Sequence, residues 1–89
     1  MMKNRRIGQF EISRQVIEDS PALVQKIMGK CVIVRAELRF DRDVIHYIAV
    51  SPEFDDCLYG LEPPMYDVII QRGNMGPIIN FVNRYGEQI

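Results

Sequence analysis

Residues 31–40 read CVIVRAELRF. Val32, Val34, Ala36, Leu38 and Phe40 alternate with Arg35, Glu37 and Arg39, and side chains two apart share one face of an extended strand. That period predicts a strand with one face turned to a core and the other to water or a partner. A chain built around it needs a sheet covered on one side only. The segment DVIHYIAV, 43–50, follows the short polar turn Asp41–Asp43 and should return antiparallel as a hairpin. Opposing Arg39 to Val44 and Glu37 to His46 sends Ile45, Tyr47 and Ala49 to the core and leaves His46 outward beside a carboxylate. A slip of one residue would bury His46 instead, so the first register is expected.

The remaining elements follow from period and punctuation. Ile7–Ile12 predicts a short first strand with Phe10 and Ile12 on one side, and Ser13 is placed to cap a brief helical turn containing Val16 and Ile17. DSPALVQKIMGK predicts a helix over Pro21–Met28. Asp19 or Ser20 is its N-cap, Pro21 lies in the first turn, Leu23, Val24, Ile27 and Met28 form the stripe, and Gly29 ends it. MYDVIIQR predicts another strand with Tyr66, Val68 and Ile70 on one face. For the last stretch, Ile78, Ile79, Val82 and Tyr85 fit a short helix with Pro77 in its first turn and Gly86 at its end. A strand through PIINFV is the alternative, since Ile, Phe and Val favour sheets and Asn80 disfavours a helix interior. The expected fold class is α+β: a small, mostly antiparallel sheet of about four strands with one or two helices on one face, in the order β-α-β-β-β-α. With 89 residues the chain fits a single compact domain.

Composition restricts function more than fold. Hydrophobic residues make up 47% and charged residues 26%, both ordinary for a globular domain. No apolar run reaches the roughly 18–20 residues needed to cross a bilayer. The basic start, Met1–Arg6, is not followed by the apolar stretch of a secretory signal. Cys31 and Cys57 are therefore expected as reduced thiols in the cytoplasm, with Cys31 a small buried hydrophobe. The net charge of −1 hides an uneven layout: residues 1–42 hold nine basic and five acidic side chains, whereas 43–71 hold six acidic and no basic ones. Folded together, the two parts cancel; on separate faces, they favour oriented association.

No catalytic or metal signature emerges. With one histidine and two cysteines twenty-six residues apart, zinc spacing is missing. Glu53, Asp55 and Asp56 lack the alternation and central glycine of a calcium loop. Cys57 and His46, with Glu37 as orienting group, supply the residue types of a nucleophile pair without any local signature. No cofactor, metal or enzymatic activity is expected. Nucleic acid is disfavoured by the pI near 5.7 and the acidic segment, although Arg35 and Arg39 could meet phosphates. Membrane association is not expected.

Two segments remain as candidate binding sites. SPEFDDCLYGLEPPMYD, 51–67, carries five carboxylates and three prolines without a lysine or arginine. Its apolar residues, interleaved with acid, suit a protein-binding surface for a partner with basic character. The expected partner-binding residues are Glu53, Phe54, Asp55, Asp56, Tyr59 and Glu62, together with the charged row Arg35, Glu37 and Arg39. As an alternative, Arg72, Gly73, Asn74 and Gly76 would form a glycine-containing loop before a helix at Pro77, suited to a phosphorylated or nucleotide-like ligand. The expectation is a small non-enzymatic binding protein, of the accessory or inhibitor type encoded by bacteria and phages, acting through protein–protein contacts as a homodimer or other homo-oligomer.

Overall fold

The computed structural model describes residues 4–58 and 61–84. Its sheets form from strands β1 (Asn4–Arg5), β2 (Ile7–Ser13), β3 (Val32–Arg39), β4 (Val44–Val50), β5 (Cys57–Leu58), β6 (Tyr66–Gly73) and β7 (Gly76–Asn83); helices α1 (Arg14–Asp19) and α2 (Pro21–Met28) lie between β2 and β3. The five long strands make two antiparallel sheets, β2-β4-β3 and β6-β7, while β1 and β5 form a two-residue pair. The architecture is α+β, as the sequence implies.

Local chemistry accounts for the helices. Ser13 is extended and its Oγ accepts from the Val16 amide, so α1 starts where its first donors find a side-chain partner. Pro21 opens α2, where its missing N–H and fixed φ fit the first turn. Ile27 is fully buried, and Leu23, Val24 and Met28 pack beside it against the core.

The β3–β4 hairpin adopts the expected register, with Arg39 opposite Val44 and Glu37 opposite His46. Arg14 fixes its turn: the guanidinium reaches the Asp43 carboxylate at 2.7 and 3.2 Å, and the Arg14 amide donates to the Asp43 carbonyl. The paired arginine lowers the Asp43 carboxyl pKa, and the Asp43 carboxylate, with Glu18 beside it, raises that of the Arg14 guanidinium. Asp43 accepts the left-handed φ of 56° that closes this turn.

Two expectations need correction. The row Val32, Val34, Ala36, Leu38 and Phe40 is not a core face, because β3 is the sheet edge and the two short helices leave it uncovered. Val32 is 67%, Val34 61%, Leu38 41% and Phe40 85% exposed, and Ala36 is also exposed. A bulge at Val34 makes Ile33, rather than Val34, the residue opposite buried Ala49, and carries Val32 to the other face, opposite Val50. The second correction concerns residues 77–85. Within the described residues this stretch is strand β7, not helix, and it pairs with β6 from Gly73↔Gly76 to Tyr66↔Asn83. Gly76 has φ +118°, a conformation open to glycine, so Gly76-Pro77 leaves a hairpin turn rather than entering a helix. Tyr85 and Gly86, the expected helix end, lie outside the described residues.

The core joins both sheets. Phe10, Ile12, Tyr47 and Ala49 come from the first sheet, Tyr66 and Ile79 from the second, Ile27 from α2, and Phe54 from the β4–β5 connection. Gly8 permits the closest approach: a Cβ there would sit 2.6 Å from Tyr66 Cε1 and 3.1 Å from Phe54 Cδ2. Gly8→Ala should therefore lower stability by about 1–3 kcal/mol through overpacking, read as a lower urea midpoint with an unchanged slope. An unchanged midpoint would show that Tyr66 is not held against Gly8.

Candidate interaction surface at the β3 edge

β3 pairs only with β4 among the described residues, so its other edge carries backbone groups without a strand partner. Ala36 and Leu38 oppose Tyr47 and Ile45 and share their side of the sheet; Arg35, Glu37 and Arg39 oppose Ile48, His46 and Val44 on the other. Arg35 and Glu37 are exposed as expected, and Arg39 is half-buried. Arg39 Nη2 lies 3.5 Å from Glu37 Oε1, while Arg39 Nε is buried with no hydrogen-bond partner among the described residues. The strand thus presents alternating charge on one side, an apolar row on the other, and an open backbone edge between them.

His46 occupies the outer face between Glu11 and Glu37 in register, but it is mostly covered and its carboxylate partner is Glu11. Its Nδ1 is 3.1 Å from Glu11 Oε2, and Nε2 is 2.6 Å from Gln9 Oε1. Gln9 Nε2 donates to the Pro63 carbonyl at 2.6 Å, which leaves Gln9 Oε1 to accept from the ring. Arg42 also pairs with Glu11. Cys57 has other company: its Sγ lies 3.8 Å from the Leu61 and Glu62 carbonyl oxygens. The expected components of a nucleophile pair therefore hold separate partners. Cys31 contacts the Ile27 carbonyl, and burial, reinforced by the Glu53 charge, raises its thiol pKa.

The acidic segment is anchored to its own protomer. Phe54, expected on a partner surface, is fully buried and stacks on Tyr66 at 4.5 Å. The Asp55 amide donates to Tyr66 Oη at 2.7 Å, and Asn83 Nδ2 donates to the Asp55 carboxylate. Burial is the main cause of the raised Tyr66 pKa. Asp56 faces Arg6 at 3.5 Å, Glu53 pairs with Lys30 at 2.9 Å, and Glu62 accepts weakly from Gln9 at 3.4 Å. These contacts and Arg14–Asp43 fold the basic and acidic parts of the chain together. Glu53, Asp55, Asp56 and Glu62 still reach solvent, whereas Tyr59 lies outside the described residues.

The glycine-containing loop is the β6–β7 turn, with strand β7 after it. Arg72, Gly73 and Gly76 line a groove of about 750 Å³ whose other wall is Asp19–Leu23. Asn74 projects from the turn outside that lining. Among the described residues, no three His, Cys, Asp or Glu side chains gather to hold a metal ion, and no helix is long and apolar enough to cross a membrane.

Sequence reasoning found the charged row but missed the edge exposure of the apolar row beside it. The clue was the limited length of the helices available to cover the sheet. Comparison with protein-family models, curated proteins and solved structures finds no match. Phe54 separates a core role from a surface role: Phe54→Ala should destabilise the fold by about 3–5 kcal/mol in urea denaturation. Native-like stability in that variant would return Phe54 to the surface.

Proposed function

We propose that this chain is a small binding protein without enzymatic activity, of the accessory or inhibitor type found in bacteria and phages, acting through protein–protein contacts as a homo-oligomer in the cytoplasm. The exposed β3 edge carries this reading. Val32, Val34, Leu38 and Phe40 stand open beside backbone groups able to accept another strand. Arg35 and Glu37 lie on the same strand, where charge orients an incoming surface. The solvent-facing carboxylates of Glu53, Asp55, Asp56 and Glu62 suit a partner with basic margins. Arg6, Arg14, Arg39 and Arg42 already face carboxylates, which disfavours a phosphate-backbone partner. Cys31 and Cys57, both thiols, fit a reducing compartment.

Hydrogen exchange on the native complex tests this reading. The β3 amides pointing away from β4 should exchange fast in the isolated protomer and slowly in the complex, and Val34→Lys should remove that protection. A complex whose β3 edge still exchanges freely would eliminate the edge as the binding surface.

A second reading, a phosphorylated or nucleotide-like ligand, is favoured by the groove that brings Arg72, Gly73 and Gly76 opposite the start of α2. Loss of the expected helix at Pro77 leaves the first turn of α2 as the helix terminus at this site. A ligand at 100 times its dissociation constant should add about 2.7 kcal/mol, visible as a thermal shift that Arg72→Ala abolishes. No shift across nucleotides and inorganic phosphate would remove this reading.

A further inference from the structure

We infer that the β3 edge takes a second copy of this chain, with two β3 strands pairing antiparallel about a two-fold axis through Ala36 to make one six-stranded sheet. The inference rests on the protein-binding reading above and specifies its partner and register. A two-fold axis perpendicular to a sheet joins two identical antiparallel strands through one central residue, because directly opposed side chains must share a face. β3 spans Val32–Arg39, and the bulge at Val34 leaves Arg35–Arg39 as its regular stretch, so the centres to compare are Arg35, Ala36 and Glu37. Centring on Arg35 would set that arginine against its own copy, and centring on Glu37 would set that carboxylate against its own copy and Arg35 against Arg39 of the second copy. Centring on Ala36 sets Arg35 against Glu37 of the second copy, twice by symmetry, and sets Val34 against Leu38 of the second copy at both ends.

The strand is therefore complementary to itself in one short register. Ala36, the smallest side chain of the exposed row, sits on the axis where two copies come closest. Val34 and Leu38 are 61% and 41% exposed, and Phe40, at 85%, extends the apolar row beyond the strand. The opposed pairs bury this surface while leaving Arg35 and Glu37 at a solvent-facing margin. Both core layers lie on the same side of the resulting sheet. The bulge at Val34 ends the regular ladder, so Arg35–Glu37 forms its centre.

Sedimentation equilibrium of wild-type protein, Arg35→Glu, Glu37→Arg and the double exchange tests the register. Each single reversal opposes like charges at two symmetry-related positions and should weaken dimerisation by about tenfold or more. The double exchange should restore wild-type association. Far-ultraviolet circular dichroism must show the same fold in all four proteins. Independently, Ala36→Cys should form a covalent dimer on mild oxidation, and Arg35→Cys and wild type should not. Association that ignores both reversals, or no Ala36→Cys cross-link from a dimeric sample, would overturn the register; protection of β3 would then still support the broader binding reading. A wild-type monomer throughout the concentration range would overturn self-association, and β3 protection by a different protein would identify a different occupant.

Discussion

Five aromatic rings form a continuous file through the core, and both sheets depend on it. Tyr47 stacks on Phe10 at 5.2 Å, Phe10 meets Phe81 at 5.2 Å, Phe81 meets the edge of Phe54 at 5.0 Å, and Phe54 stacks on Tyr66 at 4.5 Å. The file passes from β4 to β2, across to β7, through the β4–β5 connection and back to β6. Aromatic pairs at these separations add specific geometry to the burial of large apolar surfaces. The glycine at position 8 leaves room for the last two rings, and Ala49 opposite it carries only a methyl group. A small domain has few ways to join two sheets, and here one strand residue without a side chain admits the joint.

That aromatic file also determines what the acidic segment can do. Once Phe54 is in the core, its neighbours are held close to the protomer: Asp55 donates its amide to Tyr66, Asp56 meets Arg6, and Glu53 meets Lys30. Most of these charges remain near water, where an isolated ion pair contributes little stability. Their chief effect is to neutralise the chain's uneven charge locally. The segment retains an acidic outer rim, but its large anchoring side chain is already used. Val32, Val34 and Leu38 on β3, and Phe40 just beyond it, remain open apolar groups.

Much of the fold was legible in the sequence because local and tertiary demands agree. Alternation in CVIVRAELRF and the preference for an outward His46 fixed the hairpin register. Ser13, Ser20 and Pro21 marked both helix starts. The C-terminal segment was less legible because Ile78, Ile79 and Val82 fit a helical stripe, while Ile79 and Phe81 also fit an inward strand face. Pairing with β6 settles that competition, and no single-segment pattern reports a pairing partner. Likewise, Phe54 looked like surface because it lies among carboxylates; its ring stack involves residues distant in sequence. The apolar row of β3 was visible, but its exposure depends on how far α1 and α2 reach.

The chemistry of the uncovered edge differs from simple edge protection. Strands that must remain unpaired often carry proline, lysine or a run of one charge, so an approaching copy meets repulsion. β3 has no proline or lysine, and its charges alternate as Arg35, Glu37, Arg39. The bulge at Val34 does interrupt pairing at one end, which limits endless sheet growth more than it prevents a short, defined contact. At the opposite side of the three-stranded sheet, β2 meets the Pro64–Met65 approach to β6, where the Gln9 amide donates to the Pro64 carbonyl. One edge is thus partly occupied by the chain itself, and the other combines open backbone, apolar contact and opposite charge. With only one edge open in this way, the edge pairing proposed above would close after one contact and would not build an unbounded stack of sheets.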